Sequence, residues 1–117
     1  MNVCLESIGL TTVVIPQGRL DFGSAAGFQS QLEQVLAGAG SKPAGVIIDC
    51  AGLDYVSSAG LRVFLLAARA SQRAGLAFAI CGLKPAVREV FDVSGFSRVI
   101  AVFVDRVNAL AQTGPTA

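Results

Sequence analysis

Apolar and polar residues change their period several times along the chain, and each change marks an element. β-Branched and apolar residues crowd Val3–Ser7 and Thr11–Gln17 on either side of Gly9, which predicts a hairpin of two strands. "GRLDFGSAAG" breaks that pattern, and Ser24 is placed to cap a helix over Ala25–Ala37. Ala25, Phe28, Leu32, Val35 and Leu36 recur there at helical spacing, with Gln29, Gln31, Glu33 and Gln34 between them. A glycine- and proline-containing loop, "GAGSKPAG" (38–45), follows.

"VIIDC" (46–50) is a continuous apolar run, as in a strand buried on both faces. A turn is expected around Ala51–Asp54, then a second helix with a core stripe of Leu61, Phe64, Leu65 and Ala68, stopped at Gly75. "LAFAIC" (76–81) predicts another buried strand. A third helix opens at Pro85, buries Val87, Val90 and Phe91, and ends at Gly95. "VIAVFV" (99–104) predicts the last strand, Asp105 caps a helix over Arg106–Gln112, and "TGPTA" is the tail. The order β-β-α-β-α-β-α-β-α predicts a single α/β domain over residues 1–117, a mixed, mainly parallel sheet with helices packed on it.

Composition narrows the function. The chain has 117 residues, 53% hydrophobic and 15% charged, enough apolar surface for a real core. A net charge of +1 argues against an electrostatically driven nucleic-acid binder. Mean hydropathy is positive. Yet the apolar runs are far shorter than the ~20 residues of a spanning helix. "MNVCLESIGL" lacks the basic region of a secretory signal, so membrane insertion is not expected and the cytoplasm is. Cys4, Cys50 and Cys81 lie in strand-like runs without a C-x-x-C and read as buried, reduced hydrophobes rather than metal ligands.

The remaining chemistry centres on "LDYVSSAGLRVF" (53–64), where two hydroxyls stand between an apolar run and a helix. They could cap the helix, attack a substrate or accept a phosphate. A nucleophile elbow requires glycine two residues before the serine, and Val56 stands there for Ser58. A Ser-His-Asp triad needs a histidine, and the chain has none. Ser-x-x-Lys fails at Leu61, and no phosphate-binding glycine motif follows a strand. Asp49 and Asp54 sit where sites gather in parallel sheets, but bonds from loop amides to Asp49 and a turn held by Asp54 explain them without catalysis. Capping and phosphate acceptance remain, and they are compatible, because a helix N-terminus favours negative charge. Arg62, Leu66, Arg69 and Arg73 share one face of the second helix; a solvated face or an interface both fit that stripe.

Over roughly residues 3 to 112 the chain resembles the STAS domain family, and within it the single-domain bacterial anti-sigma factor antagonists. "IPQGRLDFGSA" resembles the family's Gly-x-Leu-Asp segment and first helix, "GVIIDCAGLDYVSSAGLRVFLLA" its buried strand, turn and signature, and "GLAFAICGLKPAVREVFDVSGFSRVI" its later strand, turn and helix. The resemblance implies binding without catalysis or cofactor. The unphosphorylated antagonist binds a GHKL-type serine kinase that is also the anti-sigma factor, the sigma factor is released, phosphorylation separates the pair, and a PP2C-type phosphatase resets it. Laid over the signature Asp-Ser-Ser/Thr-Gly, Ser57 stands for the aspartate, Ser58 for the acceptor, Ala59 for the second hydroxyl and Gly60 for the glycine. Ser57 is the alternate acceptor. The implied docking surface comprises Asp21, Asp54, Ser57, Ser58, Gly60 and Arg62, extended along the helix by Arg69 and Arg73. Two other functions are compatible with the chain: a STAS subunit of a lipid-transport or stress-signalling complex, and a small nucleotide-binding enzyme.

Overall fold

Val13 and Val14 are neighbours in sequence, both fully buried, and packed into different cores. The period-two alternation of a strand yields this only where both faces of a sheet are covered. The computed structural model describes residues 1–39 and 45–113 and contains that arrangement. Its strands are β1 (Asn2–Ile8), β2 (Thr11–Leu20), β3 (Gly45–Asp49), β4 (Leu53–Val56), β5 (Ala77–Cys81) and β6 (Ala101–Phe103). Its helices are α1 (Phe22–Ala39), α2 (Ser58–Arg73), α3 (Pro85–Ser94) and α4 (Arg106–Thr113), with a 3-10 turn at Phe96–Arg98.

The sheet runs β1-β2-β3-β5-β6, and β4 pairs with β2. β1 is antiparallel to β2 across the turn at Gly9, whose φ of 61° suits glycine, and every other pair is parallel. The expected mixed, mainly parallel sheet is therefore present. On one face Phe28 of α1, Phe64 of α2 and Phe91 of α3 meet in a chain of rings, with centroids 5.9 Å and 5.4 Å apart. These helices cover Val14, Val46, Ile48 and Ile80. On the other face Ala109 of α4, flanked by Leu110, packs against Val13, Ile47, Ala79 and Cys81. Pro85 opens α3, and Gly95 closes it in the left-handed region at φ 81°. Asp105 accepts a hydrogen bond from the Asn108 amide at 2.9 Å and so begins α4 as expected.

Several local expectations need correction. The residues expected to turn at Ala51–Asp54 include the start of β4, which exists because β2 runs on to Leu20 and offers it a partner. Ser24 is not the residue that precedes α1; the helix starts earlier, at Phe22, with Asp21 before it and Ser24 inside its first turn. In α2 Leu65 and Ala68 are only half-buried, while Val63, Ala67 and Ser71 are buried. α2 packs beside α1 as well as over the sheet, so its buried arc is rotated and widened. Val90 is exposed on α3. The last strand is shorter than expected: the 3-10 turn consumes its approach, and Val99 before it and Val104 after it are both exposed. Cys50 and Cys81 are buried, but Cys4 is exposed on β1, an edge strand on which only Val3 is even half-buried. Most of the loop expected over 38–45, and the tail beyond Thr113, lie outside the described residues.

Candidate functional site

β2 and β4 end side by side, with Leu20 paired to Val56, and each strand feeds directly into a helix. To get there β2 shifts register after Gly18, whose φ is 106° and whose amide donates to the Gly52 carbonyl at 2.9 Å. The starts of α1 and α2 therefore lie together at one edge of the sheet, where sites in such folds gather.

The two serines divide the labour between them. Ser57 is the N-cap of α2, extended at φ −84° and ψ 174°. Its amide donates to the Leu20 carbonyl at 2.9 Å, and its Oγ accepts from the Gly60 amide at 3.2 Å. Ser58 is the first residue of the helix and is exposed, and its hydroxyl has no hydrogen-bond partner among the described residues. Ala59 packs against the core instead of facing outward. Gly60 is buried, and a Cβ there would lie 2.7 Å from Leu20 Cγ and 2.9 Å from its carbonyl oxygen. Only glycine permits that approach, which docks the first turn of α2 onto the end of β2.

Asp21 holds the matching start of α1. Its Oδ1 accepts from the Ser24 amide at 3.2 Å, and its own amide donates to Ser24 Oγ at 3.0 Å, a reciprocal cap. Desolvation pushes the Asp21 carboxyl up, but the hydrogen bonds from Ser24 and the Gly23 amide, together with the nearby Arg19 charge, outweigh it and leave its pKa below the ordinary value. Asp54 is exposed on β4 and ion-paired with Lys84. Arg62 is exposed one turn into α2 and has no ion-pair partner among the described residues. Asp21, Ser57, Ser58 and Gly60 thus come together at the strand ends, with Arg62 and Asp54 beside them. Arg69 and Arg73 are exposed farther along α2, about 16 and 22 Å from Ser58 at 1.5 Å per residue.

Three residues here carried no sequence signal strong enough to single them out. Phe22, the first residue of α1, is 87% exposed, which is unusual for a phenylalanine. Tyr55 is 40% exposed, and the Arg19 guanidinium lies 4.3 Å from its ring centroid. The "LDF" and "LDY" repeats at 20–22 and 53–55 hint at their equivalence, but nothing local says that both aromatics face outward.

Asp49, the other acid considered, is committed to structure. Its Oδ1 accepts from the Ala51 amide at 3.1 Å, as expected of a loop-amide partner, and its Oδ2 accepts from Arg106 Nε and Nη2 at 3.1 and 3.0 Å. Arg106 also donates to Glu6 at 2.7 Å, so one guanidinium ties α4 to β1 and β3. Burial pushes the Cys81 thiol up to about 12, with the Asp49 charge adding to it, and burial also raises Cys50 well above the ordinary thiol value, so both are protonated thiols at neutral pH. No group of three or more His, Cys, Asp or Glu among the described residues could hold a metal ion, and no described helix is long and apolar enough to cross a membrane. An apolar groove of about 180 Å³ lies between α1 and α2, below the ~300 Å³ of small ligand pockets.

Comparison with known proteins agrees with this layout. The family model for the STAS domain matches residues 2–109. BtrV of Bordetella bronchiseptica, named as an anti-sigma factor antagonist, is 38% identical over 112 residues, covering 95% of this chain and 93% of BtrV. Among solved structures, an anti-sigma factor antagonist from Thermotoga maritima superposes with a TM-score of 0.88 at 13% identity, covering 97% of this chain and 95% of its own. RsbS of Moorella thermoacetica, in a serine-to-glutamate variant, gives 0.80 at 25% identity, with coverage of 97% and 95%.

Proposed function

The chain belongs to the STAS domain family, and from that premise we propose that it is an anti-sigma factor antagonist that works by docking and is switched off by phosphorylation of Ser58. The partner is a GHKL-type serine kinase that also sequesters a sigma factor; docking of the unphosphorylated chain frees that sigma factor in the cytoplasm. The kinase transfers the γ-phosphoryl group of ATP to Ser58 Oγ, ADP departs, and the hydroxyl proton passes to a base of the kinase. A PP2C-type phosphatase hydrolyses the phosphoserine and resets the cycle. The chain supplies the acceptor, while nucleotide and metal belong to the partners.

The observation that carries this reading is the exposed Ser58 hydroxyl, unengaged among the described residues, beside a Ser57 already spent on the cap. Docking would use the edge where α1 and α2 begin: Asp21, Asp54, Ser57, Ser58, Gly60 and Arg62, with exposed Phe22 as an apolar anchor and Arg69 and Arg73 extending the contact. Phosphopeptide mapping after incubation with the cognate kinase and ATP tests it. Phosphate on Ser58 is the expected result. Phosphate on Ser57 moves the acceptor by one residue, and phosphate on neither leaves the serines as a cap without a switch.

A further inference from the structure

Ser58 and Arg62 stand one helical turn apart on α2, both exposed, and neither side chain has a hydrogen-bond or ion-pair partner among the described residues. We propose that Arg62 is the intramolecular counter-ion of the phosphate on Ser58, drawing it back onto the first turn of the helix. The inference rests on Ser58 as the acceptor and adds to it the residue that governs the phosphorylated state.

Helical geometry supplies the reach. Residues at i and i+4 have Cβ atoms about 5–6 Å apart. Long helical side chains lean toward the N-terminus, a direction that lets Arg62 reach over a phosphate on Ser58. A planar guanidinium meets a phosphate through paired N–H donors. Other cations around this edge are already engaged: Arg19 lies over Tyr55, and Lys84 pairs with Asp54. No acid competes for Arg62 from its own helix, because α2 contains no Asp or Glu. An uncharged serine at position 57 puts no carboxylate beside the phosphate, and the nearby Asp21 carboxylate is bonded to Ser24.

One modification then changes two charges at the docking edge. The phosphate adds roughly −1.5 to −2. It also withdraws the free positive charge of Arg62, which a carboxylate of the kinase would otherwise meet. Release of the partner follows from both changes.

The test uses the full-length chain with phosphoserine installed at position 58 during synthesis by an expanded genetic code. The second ionisation of the phosphate is followed by phosphorus NMR against pH. Arg62→Gln should raise that pKa by about 0.3–0.7 units relative to the parent, the size of an exposed ion pair. Arg62→Lys should keep part of the shift, Arg73→Gln should leave the parent curve unchanged, and about 1 M salt should close the gap. Superimposable curves for the parent and Arg62→Gln at low salt would overturn the proposal. Because the phosphate is installed without the kinase, a kinase that ignores Ser58 sinks the antagonist reading while this titration still reports on Arg62.

Discussion

Gly60 and Leu20 touch more closely than any residue with a side chain at position 60 would allow: a Cβ there would stand 2.7 Å from Leu20 Cγ. Leu20 is fully buried at the end of β2, and its own carbonyl oxygen, part of the backbone, would stand 2.9 Å from the same Cβ. Gly60→Ala must therefore push the first turn of α2 off the sheet. The expected cost is about 1–3 kcal/mol of folding stability, read from urea denaturation. Because Ser58 rides on that turn, phosphorylation by the kinase should fall as well. An unchanged denaturation midpoint would show that α2 can slide without penalty.

The serines should separate cleanly. Ser57→Ala removes the oxygen that the Gly60 amide donates to and should cost about 1 kcal/mol, whereas Ser57→Asp should restore the cap. Ser58→Ala should leave thermal stability within about 0.5 kcal/mol, because the hydroxyl is exposed and unengaged, while abolishing phosphate incorporation. If Ser58→Ala proves the more destabilising of the two, the cap has been assigned to the wrong residue.

Acid titration reports on the other helix start. The Asp21 pKa is lowered in the folded chain, so its contribution is complete above the unfolded value of about 3.9 and is lost as pH falls through the folded value. Asparagine also caps helices, so Asp21→Asn isolates the charge. The parent should melt higher than Asp21→Asn near pH 6, and the two midpoints should converge as the pH falls through the lowered folded value. A difference that persists undiminished into acid would assign it to cap geometry rather than charge.

Phe64 and Leu65 show where sequence periodicity stops. Both belong to the apolar stripe expected of the second helix, yet Phe64 is fully buried between two other phenylalanines and Leu65 is half-exposed. Phe64→Ala should cost about 3–5 kcal/mol, and Leu65→Ala clearly less. Equal losses in calorimetry would contradict this packing.

The same limit explains what else was and was not legible. The hairpin, the Pro85–Gly95 helix and the serine junction are written in local signals, a two-residue period, a proline at the start and glycines at the stops. β4 is not, because four residues with two facing solvent become a strand only when β2 shifts register at Gly18 and runs on beside them. The Arg106 clamp joins positions 57 and 100 residues apart, a separation no window can see. Which serine caps and which stays free depends on a one-residue phase of α2. That phase follows from the Gly60–Leu20 contact rather than from the serines themselves.

The footprint of docking can be measured by charge and bulk placed at graded distances from Ser58. Ser58→Glu puts a carboxylate where the proposed partner would meet a small hydroxyl and should weaken kinase binding most. Arg62→Glu, one turn away, reverses a charge with no ion-pair partner among the described residues and should weaken it next. Phe22→Ala removes an 87%-exposed ring at the neighbouring helix start, and such aromatic anchors typically contribute more than about 1 kcal/mol to an interface, about fivefold or more in affinity. Arg73→Glu lies about 22 Å along the helix from Ser58 and should have the smallest effect. All four positions are exposed, so none should shift the thermal midpoint appreciably, and titration calorimetry against the purified kinase reads binding alone. An Arg73→Glu loss equal to that of Arg62→Glu would mean that the contact runs the whole length of α2. No loss at Phe22 would confine it to the second helix.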